Sequence, residues 1–134
     1  MAREELIIKL NMLEQKAEEK RQQIAEIDRQ LEDMIQLNMS LGKLGQSKGK
    51  EILSALGRGV FLNTLVNDDK VFVNVGSKTL VKKTFHEAME IITGQIAELA
   101  EMKAEMLKSV EDINIKLYEL LEEAQKIEEM DKQN

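Results

Sequence analysis

The sequence predicts an α+β chain that is predominantly helical: a long antiparallel two-helix coiled coil carrying two central β-hairpins. Three observations predict it. Two long segments place apolar residues in alternating steps of four and three. The stretch between them switches to a period near two, with glycine turns. The chain has no proline, 33% charged residues and only 3% aromatics, a composition of long helices rather than of a compact aromatic-filled core. At 134 residues it is expected to be one domain, residues 1–134.

The first arm, residues 3–44, carries the seam Leu6, Leu10, Leu13, Ala17, Lys20, Ile24, Ile27, Leu31, Met34, Asn38, Leu41. A repeat of 3.5 residues winds partner helices left-handed. At about 1.5 Å per residue such an arm is roughly 60 Å long, and it needs a partner for its stripe. Lys20 and Asn38 interrupt the seam, which costs stability and selects register; Lys20 reads as a lysine that snorkels to solvent. Gly42 and Gly45 are expected to end the arm through a left-handed C-cap. Residues 46–50 read as a loop.

The middle, residues 51–84, predicts four short strands in two hairpins: 52–56, 60–66, 71–75 and 78–83. Gly57-Arg58-Gly59, Asn67 to Lys70 and Gly76-Ser77 are the turns. β-branched runs and turn residues agree throughout. Four such strands neither close a barrel nor bury two faces alone. Val60 to Val66 is almost continuously apolar, which predicts burial on both sides, and an apolar edge left open would aggregate. The strands are therefore expected to be completed by other subunits. The residues expected to carry that assembly are Val60, Phe61, Leu62, Leu65, Val71, Phe72, Val73, Val75, Leu80 and Val81.

The second arm, residues 85–131, opens on a capping box, Thr84 to Glu87. Its seam runs Phe85, Met89, Ile92, Ile96, Leu99, Lys103, Met106, Val110, Ile113, Leu117, Leu120, Ala124, Ile127. The two arms are expected to pack as one helical hairpin with both termini far from the strands. Ile7, Ile8, Met12, Tyr118, Leu121 and Met130 fall off the seam near the termini. Two readings stand for them: they widen the seam and pack a ragged end, or they form an adaptable apolar binding surface at the arm tips.

Charge and chemistry exclude several classes. The formal net charge is −6. Residues 45–84 hold 7 Lys/Arg against 3 Asp/Glu, and residues 85–134 hold 5 against 13. An acidic surface disfavours nucleic acid and anionic membrane. With no cysteine there is no thiol chemistry or disulfide framework. The lone histidine, His86, has no second ligand with which to share a metal, and it reads as a surface or packing residue. Gly45 to Glu51 departs from a phosphate loop in spacing and in having Glu51 where Ser or Thr must hold magnesium. No catalytic, cofactor or metal site is expected, and no secretory leader or apolar run long enough to span a membrane is read. The expected location is cytoplasmic.

The middle also resembles a known family. Glu51-Ile52-Leu53-Ser54-Ala55-Leu56-Gly57-Arg58-Gly59-Val60-Phe61, Lys70 to Ser77 and Val81 to Ala88 are similar to the first hairpin, third strand and second-helix entry of the alpha-class prefoldins, whose two hairpins set them apart from the beta class. Ser54-Ala55 stands where that family commonly has Val-Pro, Lys78 where it often has glycine, and Lys82 where it often has an acidic residue. The resemblance implies a cytosolic, ATP-independent holdase. In that family two alpha and four beta subunits form a hexamer, and the strands close an intersubunit β-barrel. Six arms grip non-native protein near their tips and pass it to a group II chaperonin. The alternative left open is a structural homo-oligomer or filament built through the same hairpins.

Overall fold

A computed structural model describes residues 2–133. Helix α1 spans Arg3–Leu44. Strands β1 (Glu51–Gly57), β2 (Val60–Leu65), β3 (Lys70–Asn74) and β4 (Leu80–Thr84) follow, and helix α2 spans Phe85–Gln133. The strands form two separate antiparallel hairpins, β1 with β2 and β3 with β4. By contact density the chain divides into a terminal unit, built from the residues up to Gln30 and those from Leu99 on, and a hairpin unit, Leu31–Glu98.

In the terminal unit the helices run antiparallel. Arg3 lies 3.8 Å from Glu128, and Lys103 lies 2.7 Å from Asp28. Leu6, Ala17, Ile27 and Ile113 are the buried residues of this unit. The seam alternation explains which residues turn inward. From Arg3 to Leu41, the residues that escape full exposure are the eleven seam positions and no others. Lys103, the polar seam residue of α2, sends its ammonium to the Asp28 carboxylate, so its stem packs while its charge stays at the rim.

In the hairpin unit the core is Leu41, Phe85, Ala88 and Ile92, with Met34, Leu44, Val71, Val73, Met89 and Ile96 against it. Thr84 caps α2 as the sequence predicts. Its hydroxyl accepts from the Glu87 amide at 3.0 Å, and its own amide donates to the Glu87 carboxylate at 3.2 Å. That reciprocal pair satisfies two orphan donors of the first turn. The same contacts, the backbone amide of Thr84 first, hold the Glu87 carboxyl below its ordinary value. Asn38 donates through Nδ2 to Thr93 Oγ1 at 3.1 Å, and Thr93 donates in turn to the Met89 carbonyl at 2.8 Å.

Several local expectations are corrected. Gly42 lies inside α1, and neither it nor Gly45 adopts a positive φ. A Cβ on Gly42 would stand 3.6 Å from the Met89 methyl, and one on Gly45 would stand 3.6 Å from Phe85 Cβ. These glycines sit close against α2; they do not reverse the chain. The left-handed glycine between α1 and β1 is Gly49, with φ 82°. Val66 lies outside β2, although its amide still donates to Lys50 O and its carbonyl accepts from Gly49. Val75 lies outside β3, and β4 begins at Leu80 rather than Lys78. The cause is a wider turn: Ser77 and Lys78 both take left-handed conformations (φ 50° and 60°), and the Val75 amide donates to Thr79 O.

Candidate functional site

Two surfaces carry exposed apolar side chains, one in each unit. On the first hairpin the register pairs Ala55 with Phe61, Leu53 with Asn63 and Glu51 with Leu65. Paired residues share a face, so Leu53, Phe61 and Leu65 form one apolar face, and all three are exposed. On the other face Ile52, Ser54 and Thr64 are half-buried, while Leu56, Val60 and Leu62 stay exposed towards the turn. Leu53 and Leu56, at 71% and 68% exposed, are the most open aliphatic side chains of the hairpins. The β-branched-and-aromatic criterion that picks out β2 passes over them, although alternation along β1 marks Leu53.

The second hairpin has a cleaner division. Val71, Val73, Val81 and Lys83 are half-buried, and Val71 and Val73 pack on the hairpin-unit core. Phe72, Leu80 and Lys82 occupy the opposite, exposed face. Of the ten residues expected to carry assembly, Val71 and Val73 therefore serve this chain's own core, because strand alternation turns them under the sheet. Val81 is half-buried beside them, and the remaining seven are exposed.

Lys82, on the exposed face, donates to the Asp68 carboxylate at 2.7 Å. This hydrogen bond, followed by that of Asp69, holds the Asp68 carboxyl down at about 2. The basic residue at 82 thus has a carboxylate from the turn before β3 to pair with. Ser54 is likewise used locally: its hydroxyl lies 2.6 Å from that of Thr64, which donates to Ile52 O. Lys78 occupies backbone space that glycine fills without strain.

The terminal unit presents two mainly apolar grooves beside the helix seam, and a third, more polar one around Glu14, Glu18 and Arg21. One of the apolar pair, of about 460 Å³, is lined by Leu6, Ile7, Leu10, Leu121, Ala124 and Ile127, with Arg3, Gln125 and Glu128 at its polar edge. The other, of about 410 Å³, is lined by Met12, Leu13 and Leu120, with Lys9, Lys16, Lys116 and Glu119. Of the six residues expected at the tips, Ile7 and Leu121 meet in the first groove and Met12 lines the second. Ile8, Tyr118 and Met130 are exposed but line neither.

Among the described residues no group of three or more histidine, aspartate or glutamate side chains converges as a metal site, and no helix is long and apolar enough to cross a membrane. His86 stands exposed, 3.0 Å from Glu90 one turn on.

The prefoldin subunit family model matches residues 13–129. The chain belongs to the prefoldin family. Its relatives are of the alpha class. Prefoldin subunit alpha 2 of Thermococcus kodakarensis is 37% identical over 62% of this chain and 59% of its own length. Prefoldin subunit alpha of Methanosphaera stadtmanae is 27% identical over 63% of this chain and 61% of its own. Prefoldin subunit alpha of Methanococcoides burtonii is 32% identical over 67% of each chain. The matched stretch thus spans roughly three fifths of the length of the first two. A filamentous prefoldin from Methanocaldococcus jannaschii, solved by cryo-electron microscopy, has the same fold, with a TM-score of 0.75 at 21% identity over 86% of this chain and 97% of that one. Two helices flanking two hairpins, read from the sequence as an alpha-class prefoldin, is the fold found.

Proposed function

We propose that this prefoldin subunit is an ATP-independent holdase that binds non-native polypeptides through its terminal unit. The observation that carries the reading is the pair of open apolar grooves there, with Ile7, Leu121 and Met12 lining them. Apolar side chains left exposed on a charged helical pair mark a surface that captures apolar segments. Methionine suits partners of many shapes. Each contact is weak, and several arms acting on one client add through effective concentration.

Assembly is proposed to run through the hairpins. Leu53, Phe61, Leu65, Phe72 and Leu80 leave apolar faces uncovered in the single chain, and strands of partner subunits are the covering the fold calls for. The family relationship favours a beta-class prefoldin subunit as partner, in a hexamer whose strands close a β-barrel. It also favours cytoplasmic location, no enzymatic step, and delivery of the client to a group II chaperonin. A second reading, self-assembly into a homo-oligomer or filament through the same hairpins, is favoured by the likeness to the Methanocaldococcus jannaschii filament.

Light scattering of a denatured protein diluted into buffer, with and without the purified chain and without nucleotide, tests the proposal. Suppression at near-stoichiometric amounts is expected, by the chain alone or once a beta-class subunit is added. No suppression in either setting refutes the holdase reading, and a high mass for the chain alone would then favour the structural one.

A further inference from the structure

The two mainly apolar grooves of the terminal unit differ in charge. The unit as a whole is acidic, with 11 Lys/Arg against 17 Asp/Glu in residues 1–30 and 99–134. The groove at Ile7 and Leu121 has one cation and one carboxylate at its edge, Arg3 and Glu128, and they lie 3.8 Å apart. The groove at Met12, Leu13 and Leu120 is rimmed by three cations and one carboxylate. Lys9 and Lys16 are one heptad apart, so they line the same flank of α1, and Lys116 faces them from α2. All three lysines are exposed, and none has a carboxylate within 4.0 Å among the described residues. Elsewhere in the unit Arg3, Arg21, Arg29 and Lys103 each have one, while Lys20, Lys108 and Lys126 likewise have none among the described residues; what sets Lys9, Lys16 and Lys116 apart is that they rim one apolar groove.

We infer that this second groove is a subsite for acidic apolar segments: peptide stretches whose apolar side chains seat on Met12, Leu13 and Leu120 and whose carboxylates meet Lys9, Lys16 and Lys116. The inference rests on the proposed client-binding role of the terminal unit and adds a chemical preference to it. The physical reason is complementarity. An apolar floor alone does not discriminate among sequences, whereas cations at the rim favour a segment with carboxylates beside its apolar residues and disfavour a basic one. The acidic net charge of the rest of the unit disfavours acidic segments elsewhere along the helices. Exposed pairs are individually weak, so the preference is modest and screened by salt.

The test uses the assembled protein and three labelled peptides of one apolar pattern, with glutamate, glutamine or lysine at the polar positions. Fluorescence anisotropy is expected to show the glutamate peptide binding roughly tenfold tighter than the glutamine peptide at low salt. The K9Q/K16Q/K116Q variant is expected to erase that difference. High salt is expected to erase it as well. Equal affinities for the glutamate and glutamine peptides, or a preference that survives the triple variant, overturns the inference while leaving client binding intact. Failure of all three peptides to bind overturns client binding and the inference together. A fall in the mass of the assembly on K9Q/K16Q/K116Q would seat another copy's acidic α2 end on the lysines, and it also overturns the inference.

Discussion

Replacing Asn38 with leucine is expected to stabilise the protein, against the ordinary sign of a seam substitution. Asn38 sits at a half-buried seam position of the hairpin unit. Its Nδ2 donates to Thr93, but its Oδ1 is buried and finds no partner among the described residues. An unsatisfied buried carbonyl costs about 2 kcal/mol, and the hydrogen bond to Thr93 contributes about 1. A leucine at a half-buried seam position adds about 1 kcal/mol of apolar burial. Thr93 is not orphaned, because its hydroxyl already donates to the Met89 carbonyl. Asn38→Leu is therefore expected to add about 2 kcal/mol, or roughly 6 °C in Tm for a chain of this length. Denaturant unfolding followed by circular dichroism, at fixed protein concentration and with the slope m compared, measures it. The same substitution removes a polar selector of register, so a broadened chromatographic profile is expected beside the gain. A loss of 1 kcal/mol or more with unchanged m would refute the reasoning, since it would mean that the Asn38 contacts outweigh the desolvated carbonyl.

Three further outcomes are expected. Lys78→Gly is expected to stabilise the second hairpin by about 1 kcal/mol, because Lys78 holds a left-handed φ of 60° that costs a side-chain-bearing residue about that much; thermal melts check it. The Asp68 carboxyl, held at about 2 from an ordinary 3.8 by Lys82, contributes stability that is complete above the ordinary value and lost as pH falls through about 2; Lys82→Gln is expected to return the NMR titration midpoint towards 3.8. Leu53→Asp with Phe61→Asp, on one exposed face of the first hairpin, is expected to leave the helical signal unchanged and reduce the mass of the assembly by sedimentation.

What could be read from the sequence depended on whether a residue's environment is set by its own element. Seam residues from Leu6 to Leu41 could be read because a 3.5-residue repeat leaves one stripe to bury, whatever the partner. The Thr84 cap could be read because its partner is three residues away. The roles of Gly42 and Gly45 could not, because what they meet, Met89 and Phe85, lies forty or more residues on. The turn after Gly76 is wider than the Gly76-Ser77 the sequence predicts for a different reason: a non-glycine pair in left-handed space, Ser77 and Lys78, has no distinct signature. Hydrophobicity alone puts the ten hairpin residues in one group, and only alternation separates Val71 and Val73, which face the core, from Phe72, which does not. At the terminal unit the off-seam apolar residues were visible one by one. That Ile7 meets Leu121 while Met12 lies among three lysines depends on which flank each helix offers its partner.

The central claim is that the terminal unit grips non-native chains. Its most direct measurement is aggregation of a denatured client, followed by light scattering without ATP, in the presence of the assembly carrying Ile7→Ser, Ile8→Ser, Met12→Ser and Leu121→Ser. These side chains are exposed, so the mass of the assembly and its helical content are expected to match the unsubstituted protein while client protection disappears. Undiminished protection by an intact assembly of this variant would contradict the account and move client binding to another surface.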